Sequence, residues 1–186
     1  MSQRALSRRE KIRIVVGVAT AAALCVGGVA LAHADGFWIN TTDSMPVGLW
    51  RQSASHLARR GDVVLLCLPL TPVTQIGWAR GYIAAGSCPT GQEILLKPIA
   101  AMSGDEVDVT RERISVNGTE IPNSGQLARD SEGRPMPAYP AGAYRVPASQ
   151  LWLVSPHNPR SFDSRYFGPV PASLVRSTVR PVWVIG

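Results

Sequence analysis

Charged residues are scarce in this sequence of 186 residues, where Asp, Glu, Lys and Arg together make up 17% and hydrophobic residues 45%. Such a chain is too apolar to be intrinsically disordered, because disorder requires low hydrophobicity and a high net charge. Cysteine is rare as well, and three cysteines are too few for a scaffold held together mainly by disulfides. The length then favours one folded domain.

Positive charge is concentrated at the N-terminus. The chain has a formal net charge of +6, and its first thirteen residues carry +4, which leaves +2 for the other 173. The charged residues of this short segment are Arg4, Arg8, Arg9, Glu10, Lys11 and Arg13. Because nucleic-acid binding depends on a large basic surface, we expect no nucleic-acid partner.

An uncharged segment, Ile14 to Ala32, follows the basic residues. As a helix it would span about 28 Å, close to the thickness of the hydrocarbon core of a bilayer. The positive-inside rule then predicts a cytoplasmic basic tail at residues 1–13, one transmembrane anchor at 14–34 and an exported domain at 35–186. The alternative is a signal peptide cleaved after Ala34, although the apolar run exceeds the usual length of about 7 to 15 residues.

The exported part is predicted to be mostly β, because short apolar runs separated by Gly and Pro replace helical periodicity. Asn117-Gly118 predicts a type I′ hairpin turn, since both residues accept a positive φ. The segment near 122–142 is rich in Pro, Gly and Ser, which predicts a loop-rich insertion on the surface. The candidate strands are Phe37–Ile39, Val63–Leu68, Glu93–Ala101, Glu106–Val109, Arg113–Val116, Leu151–Val154 and Thr178–Ile185.

Two of the three cysteines, Cys67 and Cys88, lie in the exported part. A disulfide between them is reasonable in an oxidising compartment, and two buried free thiols are the alternative. The histidines His33, His56 and His157 are too scattered for a metal site, so we expect neither a metal nor another cofactor.

Lys97 is the only lysine of the exported part, and it lies in an apolar candidate strand. Residues two apart in a strand share a face, so Lys97 is expected to lie between Leu95 and Ile99. Burial lowers the pKa of a lysine and can turn it into a base near neutral pH. The alternatives are an amine that reaches solvent or one that pairs with Glu93.

Ser44 lies in a short Thr- and Pro-containing loop after the first candidate strand. A serine hydroxyl needs a neighbouring base to attack a carbonyl, and a neutral lysine can serve in a Ser-Lys dyad. The Thr42 hydroxyl and the Ser44 backbone N–H are then candidate donors to the oxyanion. An ordinary Ser/Thr turn is the simpler interpretation of this segment.

Ser161, Asp163 and Arg165 alternate along the chain and would share one face of an extended segment. Ser161 would then contact a buried amine while Asp163 and Arg165 form a supporting pair. An exposed ion pair is the structural alternative.

These three clusters resemble the boxes of the type I signal peptidase family, and more closely those of its conjugative-transfer branch, the TraF peptidases. Ser44-Met45-Pro46 is similar to the nucleophile box, and Leu95-Leu96-Lys97 with Gly104-Asp105 to the lysine box. The segment 161–168, SFDSRYFG, is similar to the last box. Thr42 stands where housekeeping enzymes have a serine, and Ser155-Pro156-His157-Asn158 replaces their Gly-Asp-Asn.

The resemblance implies a signal-peptidase-like, β-rich catalytic domain in the periplasm, on one helix in the lipid of the inner membrane. It implies a Ser44/Lys97 dyad that cuts a pilin precursor or another preprotein after a small residue. Shallow pockets near Met45 and Leu95 would select that residue. A Ser44/His157/Asp163 triad, a general signal peptidase and a membrane-tethered scaffold without activity are the alternatives.

Overall fold

A computed structural model describes residues 7–53 and 58–185, and for residues 29–34 it describes the backbone alone. Within the chain there are two compact units, residues 1–38 and 39–186. The first six residues of the predicted basic tail, the His33 side chain and His56 lie outside this description.

The first unit is built on one helix, α1, at Arg8–Ala34. It begins N-terminal to the predicted anchor because Ser7 and Glu10 form a capping box, in which Ser7 N donates to Glu10 Oε2 (2.7 Å) and Glu10 N donates to Ser7 Oγ (3.3 Å). Its segment Arg8–Gly28 is long and apolar enough to cross a membrane. The predicted division of the chain at 13 and 34 stays a prediction.

The second unit is β-rich, which confirms the predicted fold class. A seven-stranded sheet has the order β1-β2-β11-β3-β4-β9-β10, and a four-stranded sheet has the order β7-β6-β5-β8. The strands are β1 Phe37–Asn40, β2 Val47–Gln52, β3 Val63–Leu66, β4 Leu95–Met102, β5 Glu106–Val109, β6 Ile114–Val116, β7 Thr119–Ile121, β8 Gly142–Arg145, β9 Gln150–Leu153, β10 Val170–Pro171 and β11 Val175–Ile185. The short helices are α2 Pro72–Ala79 and α3 Ser164–Phe167, with a 3-10 turn at Ala172–Leu174.

Each candidate strand overlaps an observed one, and the predicted hairpin turn is confirmed. Asn117 and Gly118 have φ of 50° and 77° between the antiparallel strands β6 and β7. Sequence analysis missed β2, β8 and β10, as well as α2. The start of α2 carries the capping pair Thr71 and Thr74 with Pro72 in its first turn, but eight residues are too few for a periodic pattern.

The hydrophobic core has two clusters, and β4 contributes to both. Leu95 and Ile99 belong to the first, with residues of β3, β9 and α3, and Ala101 belongs to the second, with residues of β5 and β6. Since β4 pairs with β3 on one side and β9 on the other, its backbone lies well inside the sheet. Because the side chains of β4 project from the faces of the sheet into these clusters, a polar side chain on this strand is removed from water.

Cys67 and Cys88 form a disulfide, with their Cα atoms 5.7 Å apart, as predicted. The bridge connects the segment after β3 to the segment before β4. It closes a loop of about 20 residues, which stabilises a fold by roughly 3 kcal/mol.

Candidate active site

Lys97 lies at the centre of β4, and its side chain is only 2% exposed. Leu95 and Ile99, two residues to either side, are buried in the same strand, as the period of two predicts. The Lys97 Nζ donates a hydrogen bond of 2.8 Å to Ser161 Oγ. Lys97 and Ser161 are therefore brought together from positions 64 residues apart.

Burial lowers the pKa of Lys97 from its ordinary 10.5 to about 8, because it disfavours the charged ammonium. The negative charge of Asp163 opposes this shift, the positive charge of Arg165 adds to it, and Glu93 opposes it more weakly. Glu93 does not pair with Lys97, since its Oε1 accepts from the Ala84 N–H at 2.9 Å. With this pKa about one Lys97 in ten is neutral at pH 7, against about one in 3,000 for a lysine with its ordinary pKa.

Asp163 and Arg165 form a fully buried ion pair with two parallel hydrogen bonds. Arg165 Nε donates to Asp163 Oδ1 at 2.8 Å, and Nη2 donates to Oδ2 at 3.0 Å. The alternation predicted an extended segment, and this prediction is wrong at Arg165. Asp163 is the N-cap of α3, and Arg165 lies inside this single helical turn.

The remaining donors of Arg165 are bonded to backbone carbonyls. Nη1 donates to Asn123 O at 2.8 Å and Pro159 O at 3.0 Å, and Nη2 donates to Ser155 O at 2.9 Å. These bonds satisfy a charged group that water cannot reach. The start of the loop-rich segment therefore supports the ion pair, a role that sequence analysis did not predict.

Ser44 lies on the turn between β1 and β2 and is half-buried. Neither its Oγ nor its backbone N–H makes a hydrogen bond within the described part of the chain. The neighbouring Thr42 is exposed, and its hydroxyl donates to Asn40 Oδ1 at 2.9 Å. A serine hydroxyl and an amide donor on this turn are thus both without a partner among the described residues.

Ser155 joins this turn to the buried pair. Its Oγ donates to the carbonyl oxygen of Ser44, and its backbone N–H donates to Asp163 Oδ2 at 3.0 Å. Two residues before Asp163, Ser161 accepts from Lys97. Hydrogen bonds therefore link the three sequence clusters, although Ser44 Oγ and Lys97 Nζ are not hydrogen-bonded to each other.

A family model described as signal peptidase, peptidase S26, matches residues 9–184. The chain belongs to this family. A plasmid transfer protein TraF from Escherichia coli is 37% identical over 178 residues, which cover 95% of this chain and 98% of that protein. A conjugal transfer protein TraF from Agrobacterium fabrum is 35% identical over 179 residues, covering 96% and 98% of the two chains.

A probable conjugal transfer protein TraF from Sinorhizobium fredii is 38% identical over 176 residues, covering 94% of this chain and 92% of that protein. Among solved structures, a signal peptidase I from Enterococcus faecalis is 18% identical, with a TM-score of 0.37. The match covers 66% of this chain and 96% of that one.

Met45 and Leu95, the residues expected near the substrate pockets, are both 8% exposed. Met45 lies beside Ser155, with its Sδ 3.8 Å from Ser155 Oγ. Leu95 packs in the first core cluster against residues such as Val64. Their part in selecting a small substrate residue stays a prediction.

His157, the alternative base, is exposed and makes no side-chain hydrogen bond to any residue that the structure describes. The Asp163 carboxylate is bonded to Arg165 and to the Ser155 N–H. A Ser-His-Asp triad needs the carboxylate to orient the imidazole, and this contact is absent between the described groups. The geometry favours Lys97 over His157.

Sequence analysis missed two residues of this site, Asn40 and Ser155. Asn40 ends β1, so it looked like an ordinary polar residue at the end of a strand. Ser155 stands where housekeeping enzymes have glycine, and this departure was the available signal. The Ser155 contact could not be inferred from spacing, since Ser155 and Ser44 are 111 residues apart. The Asn40 contacts are local, two to six residues along the chain, and an asparagine ahead of a turn was the available signal for them.

Proposed function

We propose that this protein is a membrane-bound serine endopeptidase of the signal peptidase type that matures a conjugative pilin precursor for plasmid transfer. The observation that carries the proposal is the buried Lys97 amine, with its pKa lowered to about 8 and its Nζ bonded to Ser161. Membership of peptidase S26 supports the peptidase activity, and the names of the TraF relatives support the role in conjugation.

In the first step, neutral Lys97 accepts the proton of the Ser44 hydroxyl as Ser44 Oγ attacks the substrate carbonyl. The C–O bond forms, the carbonyl electrons move onto oxygen, and a tetrahedral intermediate results. The lysine ammonium then gives its proton to the leaving amine as the C–N bond breaks. Ser161 orients the amine, and Asp163 with Arg165 holds Ser161 in place.

The developing oxyanion is stabilised by the Ser44 backbone N–H and the Thr42 hydroxyl. The N–H is free to do so, whereas the Thr42 hydroxyl must exchange its bond to Asn40 for one to the oxyanion. A donor of this kind lowers the barrier by about 2.7 to 4 kcal/mol.

The acyl-enzyme on Ser44 has two fates. Attack by water releases a linear product, and attack by the amino terminus of the same pilin chain closes it into a ring. Both reactions use Lys97 as the base, so the same site serves either outcome.

The basic residues at the N-terminal end of α1 and the apolar length of Arg8–Gly28 support an anchor in the inner membrane with the catalytic domain in the periplasm. The site would then meet a precursor that is itself inserted in or crossing the membrane. This location suits the processing of exported chains, including preproteins other than pilin.

The proposal is tested by following the pilin precursor on an immunoblot in cells that carry Ser44→Ala, Lys97→Ala or His157→Ala in place of the wild type. We expect precursor to accumulate with the first two variants and to be processed with the third. Processing by Lys97→Ala with failure of His157→Ala would overturn the dyad. Processing and a functional pilus with Ser44→Ala would instead favour a scaffold.

Mass spectrometry of the mature pilin separates the two fates, since ring closure removes one water relative to the linear chain. A general signal peptidase is indicated if other preproteins also accumulate in the Ser44→Ala cells.

A further inference from the structure

The turn that carries Ser44 is held on one side by the buried side chain of Asn40, which is 3% exposed, and its Pro46 carbonyl also accepts from Trp50 Nε1 at 3.2 Å. Asn40 Nδ2 lies within hydrogen-bond distance of the carbonyl oxygens of Thr42 (2.9 Å), Met45 (2.9 Å) and Pro46 (3.1 Å). Its Oδ1 accepts from the backbone N–H of Thr42 at 3.2 Å as well as from the Thr42 hydroxyl. One amide therefore restrains the backbone both before and after Ser44.

On the other side the turn is held by Ser155, which is fully buried. Its Oγ donates to the carbonyl oxygen of Ser44 itself. Its own backbone is bonded to the ion pair, through its N–H to Asp163 and its carbonyl to Arg165. Ser155 therefore links the main chain of the nucleophile to the cluster that surrounds Lys97.

These contacts engage the carbonyl oxygens of the turn and leave the Ser44 hydroxyl and backbone N–H available for the reaction. Asn40 Nδ2 has two hydrogens for the carbonyls of Thr42, Met45 and Pro46, the Pro46 carbonyl also accepts from Trp50 Nε1, and the Ser44 carbonyl accepts from Ser155. Ser44 Oγ and N–H, in contrast, are not bonded within the described chain. A turn with four bonded carbonyls has little freedom to change its φ and ψ angles. The direction of the Ser44 side chain is thereby limited.

We propose that Asn40 and Ser155 are positioning residues that hold Ser44 in register with Lys97 for attack on the substrate. The inference rests on the proposed peptidase function and adds two residues to it. Nucleophilic attack requires a narrow geometry, and a displacement of about 1 Å can reduce a rate about 10²-fold. Neither residue is hydrogen-bonded to Lys97, whose Nζ bonds Ser161, so the pKa of the base should change little on their removal.

The test compares the full-length enzyme in detergent with its Asn40→Ala, Asn40→Asp and Ser155→Ala variants, using purified pilin precursor as substrate. For each variant we expect kcat to fall about 10- to 100-fold while KM changes less than about twofold. Asn40→Asp conserves size and the Oδ1 acceptor but removes the Nδ2 donor. It also adds a negative charge, which by itself can raise the pKa of Lys97, so the pH midpoint is compared only for the two alanine variants. Ser155→Ala conserves the backbone bonds to Asp163 and Arg165.

The pH at which kcat is half-maximal is the second measurement, and we expect it to match the wild type. A general loss of structure would instead lower the folded fraction, which the unfolding transition of each variant reports. The matched control is Thr74→Val, which removes a buried hydroxyl that donates to Pro69 O at 2.6 Å in the cap of α2. It should lower stability and leave kcat unchanged.

The inference is wrong if the variants have kcat values within about twofold of Thr74→Val after correction for the folded fraction. It is also wrong if the alanine variants shift the pH midpoint, because they would then act on Lys97. If one variant does not fold, the other two variants still test the inference. Ser44→Ala is measured alongside, and unchanged cleavage by it would overturn the peptidase function itself rather than this inference.

Discussion

The turn around Ser44 and the buried centre around Lys97 are built in opposite ways. On the turn, Thr42 is exposed and Ser44 half-buried, with its hydroxyl unpaired among the described residues. In the centre, Lys97 and Arg165 are at most 2% exposed, and each is hydrogen-bonded to a buried side chain, Ser161 and Asp163 respectively. A nucleophile must reach its substrate, whereas an amine becomes a base only where water is excluded.

The centre also carries a cost that the turn does not. Lowering the pKa of Lys97 from 10.5 to about 8 destabilises the folded state by roughly 3 kcal/mol at pH 7. The core clusters around β4 must offset this cost. The turn is held by neutral hydrogen bonds, each of which contributes about 1 kcal/mol.

Arg165→Met should have the largest effect on the buried centre around Lys97. The change leaves the Asp163 carboxylate buried without its partner, which should lower the free energy of unfolding by about 3 to 5 kcal/mol. Cleavage should be lost with it, because Asp163 anchors both Ser155 and the segment of Ser161. Denaturant unfolding and precursor cleavage provide the two measurements.

Arg145→Met is the control for this change, since the Arg145 side chain is 75% exposed and lies 4.0 Å from Glu106. It should cost less than about 1 kcal/mol. Equal losses for the two arginine variants would contradict the special status of the buried pair.

The pH dependence of cleavage should report the centre and not the turn. Lys97 must be neutral to accept a proton, so kcat should rise with pH and level off above about 8. Between pH 8 and pH 6 the rate should fall about 50-fold, approaching a tenfold loss for each pH unit well below the pKa. A flat profile over this range would show that the base has another pKa.

The same pKa makes a matching prediction for stability. Between pH 8 and 10.5 the unfolded chain binds more protons at Lys97 than the folded chain does, so the free energy of unfolding should rise with pH in this window. Below pH 8 the full destabilisation by the buried lysine should be present. In Lys97→Met the rise should disappear, and the variant should gain up to about 3 kcal/mol at pH 7 relative to the wild type. Unfolding at pH 7 and pH 10 measures both.

Gly77→Ala should disturb the centre through its packing. Alanine favours a helix over glycine by about 1 kcal/mol, but a Cβ at Gly77 would lie 2.5 Å from Cε1 of the Phe162 ring. That ring is confined by Tyr82, Tyr166 and Phe167, with centroids 5.4 to 5.8 Å away. The clash should outweigh the gain in helix propensity and lower the free energy of unfolding by about 1 to 3 kcal/mol.

A second substitution tests the cause of this loss. Phe162→Leu in the Gly77→Ala background removes the clashing ring atoms, so it should restore part of the stability in a double-mutant cycle. Strictly additive losses would mean that the two side chains do not meet. Because Phe162 lies between Ser161 and Asp163, cleavage should follow stability.

The smallest predicted effect concerns the influence of the Glu93 charge on the pKa of Lys97. The negative charge of Glu93 raises the lysine pKa slightly, so Glu93→Gln should move the acid limb of the pH profile to lower pH by less than about half a unit. Glutamine retains an oxygen that can accept from the Ala84 N–H, and the fold should not change. A shift to higher pH would contradict the assigned cause.

Patterns of short range were predictable, because they depend on neighbouring residues alone. The alternation of β4 predicted that Lys97 is buried beside Leu95 and Ile99, and Asn117-Gly118 predicted its hairpin turn. The alternation failed at Arg165, where Asp163 caps a helical turn that the pattern of polar residues could not reveal. The short helix α2 was missed for lack of length.

The sequence by itself determined the apolar N-terminal segment, the β-rich class and the identity of the residues that can carry chemistry, because each depends on composition or on a period of a few residues. The tertiary structure alone decided that Asn123 and Ser155 serve the same site. Their hydrogen bonds reach across as many as 111 residues of sequence, and such partners are chosen by the packing of the sheets. The low pKa of Lys97 belongs to the tertiary structure as well, since only the folded chain removes its amine from water.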